Sequence, residues 1–87
     1  MELQDAAAEL RSFIGERFTI PDSDQEFTDD VHLFDYGYID SFGAVDLISY
    51  VKAQYSVEIT DSDLIAYPLN TIREIATFVV KRLAGNI

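Results

Sequence analysis

Eighty-seven residues with 16 acidic and 6 basic side chains, a net charge of −10, make one small acidic domain spanning 1–87. Such a surface repels nucleic-acid phosphates, and the length leaves no room for a second core or a deep substrate cavity. The absence of cysteine excludes disulfides, thiolate metal sites and a thiol nucleophile, while 48% hydrophobic residues suffice for folding by burial.

Leu3, Ala7, Leu10 and Ile14 recur at helical spacing and predict a first amphipathic helix over 2–18, closed before Pro21. Residues 21–30 carry Asp22, Asp24, Glu26, Asp29 and Asp30 around a single large apolar residue, Phe27. They read as a solvated acidic loop anchored at that ring. The loop runs on through Val31, Leu33 and Phe34, where one helical turn would fit, to a turn at Gly37.

A second helix is predicted over 41–55, capped by Asp40, with Ala44, Leu47, Ile48, Val51 and Tyr55 facing inward. Phe42, Asp46 and Ser49 fall on the opposite face, with Val45 on its flank. Val57-Glu58-Ile59 is too short and too isolated for a paired strand, and reads as an extended connector with its apolar residues buried. Thr60-Asp61-Ser62-Asp63 is a capping box opening a short helix through Leu64, Ile65 and Ala66 that stops before Pro68. Thr71-Ile72-Arg73-Glu74 opens a last helix carrying Ile72, Ile75, Ala76, Val79, Val80 and Leu83, with Gly85 at its end. The expected fold is an all-α four-helix bundle, three helices long and one short, with a long first loop.

Catalytic chemistry is poorly provided for. Ser41 as a nucleophile needs a base and an oxyanion hole, and the glycine-flanked elbow pattern fails because Ile39 stands where the first glycine belongs. The single histidine, His32, lies nine residues upstream in the loop. Asp22-Ser23-Asp24 begins like a calcium loop, but Phe27 replaces the turn glycine and Leu33 the bidentate glutamate. Ser41 is better placed as a point of attachment: a hydroxyl at a helix start has free amide donors beside it and suits a phosphate. Taken alone, Asp40-Ser41 also fits a plain helix cap. In that alternative the bundle is a non-catalytic interaction module that binds partners through Phe42 and Val45.

The stretch Leu33-Phe34-Asp35-x-Gly37-x-x-Asp40-Ser41-x-Gly43-x-Val45-x-Leu47, followed by Gln54-Tyr55-x-Val57-x-Ile59 and Asn70-Thr71-Ile72, resembles the acyl, aminoacyl and peptidyl carrier proteins. The pattern is similar to D-alanyl carriers and to free-standing carriers of polyketide and nonribosomal peptide pathways, and the resemblance covers nearly the whole chain. It implies that a phosphopantetheinyl transferase attaches 4′-phosphopantetheine from coenzyme A to Ser41, with Asp40 helping that enzyme. The arm would carry acyl or aminoacyl cargo as a thioester, from a loading ligase or acyltransferase to downstream enzymes. The protein itself would be a monomer and not an enzyme. The resemblance further implies a partner surface of Phe42, Val45, Asp46 and Ser49 with Leu64 and Ile65. The second helix lacks the strong acidity of fatty-acid-synthesis carriers, which points to partners that read apolar contacts. An amino acid, a short acid and a long acyl chain all fit as cargo. The N-terminus Met1-Glu2-Leu3-Gln4-Asp5 has no leader pattern and no run is long enough to span a membrane, so a cytoplasmic location is expected.

Overall fold

A computed structural model describes residues 1–87 as four helices: α1 (Leu3–Arg17), α2 (Ser41–Tyr55), α3 (Asp61–Ala66) and α4 (Ile72–Leu83). The all-α bundle and its long first connection agree with the sequence pattern. α1 packs chiefly against α4, and α2 also lies on α4. Ala6, Leu10 and Ile14 from α1, Leu47 and Val51 from α2, and Ile72, Ile75, Ala76 and Val79 from α4 are at most 2% exposed and form the centre of one core. Their spacing of three and four residues places each set on one face of its helix.

Both predicted capping boxes are closed. Thr60 Oγ1 accepts from Asp63 N while an Asp63 carboxylate oxygen accepts from Thr60 N, and Thr71 and Glu74 do the same at α4. Between α2 and α3 the connector is extended, with Val57 and Ile59 buried. Two details of α4 depart from its simple spacing. Leu83 continues the stripe but lies 46% exposed in the last turn. Phe78, off the stripe, is buried because Tyr67 packs edge-on to its ring at 5.5 Å and the Arg82 guanidinium lies over it.

The connection between α1 and α2 is long but not loose. Leu33 and Ile39 are completely or almost completely buried, and Leu33 N donates to Asn70 O at 2.9 Å, tying the loop to the start of α4. Phe27 is partly buried against Tyr38, whose hydroxyl donates to Asp24 at 2.9 Å. The acidic residues are largely used: Asp29 pairs with Arg11 on α1, and Asp30 with Arg73 on α4. A single turn closes from Tyr36 N to His32 O, and Gly37 then takes the left-handed φ of 83° that releases the chain toward α2.

Candidate functional site

Ser41 is the first residue of α2 and is exposed. Asp40 precedes it in extended backbone as the N-cap, its Oδ1 accepting from Gly43 N at 2.7 Å, while its carbonyl accepts from Ala44 N at 2.9 Å. The amide groups of Ser41 and Phe42 have no acceptor within the chain. The serine hydroxyl thus stands beside two free donors at the positive end of a four-turn helix, with nothing over it.

Two buried neighbours hold this start of α2 in place. Ile39 is 2% exposed and roots the chain in the core immediately before the cap. Gly43 faces inward, and a Cβ there would stand 2.7 Å from the Phe18 ring and 2.8 Å from Ile39 Cγ2. The glycine is therefore a requirement of close approach between the end of α1 and the first turn of α2. Its place in the sequence motif had this packing reason, which spacing alone does not reveal.

Phe42 is 86% exposed, so its ring is not folded back on the preceding loop. Val45 and Ile65 are 66% and 88% exposed, and Leu64 is half-exposed. Phe34, Ala44, Val45 and Ile48 on one side and Leu64 to Asn70 on the other line an open groove between α2 and the α3 segment, about 710 Å³ in volume. Ala44 and Ile48, expected to face inward, are half-buried walls of this groove instead. Ser49 lines it too. Asp46 points elsewhere: Arg17 on α1 donates to its carboxylate at 2.9 and 3.2 Å, an ion pair that sequence spacing gave no means to foresee.

The site has no catalytic constellation. Nδ1 of His32 accepts from Asp35 N at 3.0 Å and its Nε2 faces the Asp35 carboxylate at 3.7 Å, so both nitrogens are turned to the loop's own turn. No side chain makes a hydrogen bond to the Ser41 hydroxyl. What the arrangement offers is an accessible oxygen for esterification and two amide donors for the resulting phosphate.

The family model of the phosphopantetheine attachment site matches residues 8–79. The chain belongs to that family. No curated protein matches it. As a member, this carrier domain bears 4′-phosphopantetheine covalently and is not itself an enzyme. Carrier domains of this kind interact with a phosphopantetheinyl transferase and with biosynthetic enzymes. The residues of the carrier domain fit the group: an exposed hydroxyl at a helix start, unpaired amides beside it, and no thiol of its own to compete with the arm's.

Proposed function

We propose that residues 1–87 act as a single carrier domain whose Ser41 hydroxyl is the attachment point, and that the domain shuttles acyl or aminoacyl thioesters between separate biosynthetic enzymes. The observation that carries this reading is the exposure of Ser41 at the start of α2 with the free amide donors of Ser41 and Phe42 beside it. The prosthetic arm supplies the reactive sulfur that holds the cargo; the chain supplies position and recognition. Asp40 sets the geometry by capping α2 through Gly43 N, which keeps the hydroxyl outward and presents a carboxylate to the transferase.

Partner enzymes are proposed to dock on Phe42, Val45 and Ser49 of α2 and on Leu64 and Ile65 of α3. Exposed large apolar side chains beside a modification site are favourable anchors for a transient interface. Asp46 contributes less than its sequence position promised, because Arg17 already neutralises it. A transient carrier that visits several enzymes is best served by a monomer. No helix is long and apolar enough to cross a membrane, and we place the carrier's work in the cytoplasm.

The test is direct. Apo protein incubated with coenzyme A and a broad-specificity phosphopantetheinyl transferase gains the mass of one arm, and Ser41→Ala gains none. An unchanged mass under conditions that modify a control carrier, or an arm that persists in Ser41→Ala, defeats the proposal. Phe42→Ala is expected to retain its fold and to slow transfer to partner enzymes.

A further inference from the structure

Helix α2 contains one carboxylate, Asp46, although the chain carries 16 acidic side chains. It lies one turn beyond Phe42 and next to Val45, so it borders the exposed apolar residues on which partners are proposed to dock. Its charge is already taken. Arg17 Nε and Nη2 both donate to Asp46 Oδ2, and Oδ1 accepts no hydrogen bond within the chain. Asp40 at the N-cap is turned to Gly43 N, so α2 and its cap offer an incoming cation no unengaged carboxylate.

Both side chains of this pair are half-exposed, so the contact depends on how α1 ends. Arg17 is the last residue of that helix, and Phe18 after it is wedged against Gly43, where a Cβ would stand 2.7 Å from the ring. Thr19 then takes a left-handed φ of 55°, disfavoured for a β-branched residue, and Ile20 N closes the end by donating to Gly15 O at 2.9 Å. This strained stop fixes the last turn of α1 beside the first turns of α2 and keeps the guanidinium on Asp46. A counter-ion tethered in this way competes at high local concentration with any free one.

We infer that Arg17 is a specificity-determining residue of the docking face. It occupies Asp46 ahead of any partner, and so turns away enzymes that meet α2 with a basic residue in favour of enzymes that meet it with an apolar one. This rests on the docking reading of Phe42 and Val45. A partner cation must displace Arg17 to reach the carboxylate, and the displaced guanidinium then stands beside it as a like charge. An apolar partner contacts the exposed Phe42 and Val45 without disturbing the pair. A net charge of −10 still draws a basic enzyme toward the carrier, so the rejection falls at close docking and not at encounter.

The experiment measures arm transfer from coenzyme A to the apo carrier by two phosphopantetheinyl transferases, one with a basic and one with an apolar carrier-docking face. Intact mass follows the reaction, and kcat is separated from KM for the carrier. Arg17→Gln should lower KM with the basic enzyme about threefold relative to the apolar one, the scale of one exposed ion pair, with kcat little altered. The gain should vanish in high salt and in the double variant Arg17→Gln, Asp46→Asn, and Arg17→Lys should keep the wild-type ratio. Arg11→Gln removes the same charge from α1 on the Asp29 side and should leave the ratio unchanged. An unchanged ratio in Arg17→Gln, an equal change in Arg11→Gln, or a gain that survives Asp46→Asn overturns this inference alone. A Phe42→Ala variant with wild-type KM for both enzymes overturns the docking face and the inference with it. A mass that shows no arm on Ser41 with either enzyme overturns the attachment reading.

Discussion

α4 and α3 open with the same motif and differ in everything that follows. Each has a threonine N-cap and an acidic third residue that close a reciprocal box. α4 then buries Ile72, Ile75, Ala76, Phe78 and Val79, whereas α3 buries no residue. α3 keeps its place through polar contacts and its flanks: Arg82 donates to Asp63 at 3.0 Å and to Glu58 O at 3.2 Å, and Tyr67 leans on Phe78. Burial scales with area removed from water, so α4 is framework and α3 is a wall fastened from outside. The site straddles the two regimes, with a rigidly seated Ser41 at one side of the groove and a lightly held α3 at the other.

The largest test of this contrast is in the framework. Leu10→Ala or Ile75→Ala should cost about 2–5 kcal/mol in chemical denaturation, because both residues are nearly completely enclosed. Ile65→Ala should change stability by less than about 0.5 kcal/mol, its side chain being 88% exposed. A comparable loss at both positions would erase the distinction.

At the seam between framework and site, Gly43→Ala forces a methyl into the Phe18 ring and Ile39, and should cost about 1–3 kcal/mol. The same variant should accept the pantetheine arm more slowly, since its strain falls on the first turn of α2. Normal stability and normal loading together would show that the end of α1 yields freely.

The two capping boxes give a paired comparison. Thr71→Ala should destabilise the whole fold by about 1 kcal/mol. Thr60→Ala should leave global unfolding almost unaltered and speed hydrogen exchange only in α3. Arg82→Met should act in the same local manner, loosening α3 while α1 and α4 keep their protection. If exchange rises uniformly instead, α3 belongs to the cooperative core.

The smallest effects concern pH. The backbone amide of Thr60 and then the Arg82 guanidinium hold the Asp63 carboxyl below its ordinary range. A depressed carboxylate stabilises above its ordinary pKa of 3.8 and loses that contribution as pH falls through the folded value, so α3 should loosen only in acid below about pH 4. Partial desolvation and the hydrogen bond to Asp24 push the Tyr38 hydroxyl up to about 12. A raised phenol contributes fully below pH 10 and loses that contribution between pH 10 and about 12. Tyrosine absorbance should show this residue ionising late, with exchange in the loop rising over the same window.

Much of the architecture was legible in local sequence because its signals are local. Helix faces follow from spacing, the boxes from Thr60-Asp63 and Thr71-Glu74, and the start of α2 from Asp40 ahead of an apolar stripe. The motif on which the proposed attachment at Ser41 rests is legible for the same reason, since Asp40, Ser41 and Gly43 lie within one helical turn. The partners across the fold could not. That Arg17 claims Asp46 and that Gly43 meets Phe18 depend on residues 25 or more positions apart, and that Tyr67 packs on Phe78 and that Lys52 stands beside a groove depend on how separate segments come together. Periodicity tells which face turns inward but not which neighbour it meets. The choice of neighbour is decided by how the helices pack, and with it which charges remain available to a ligand.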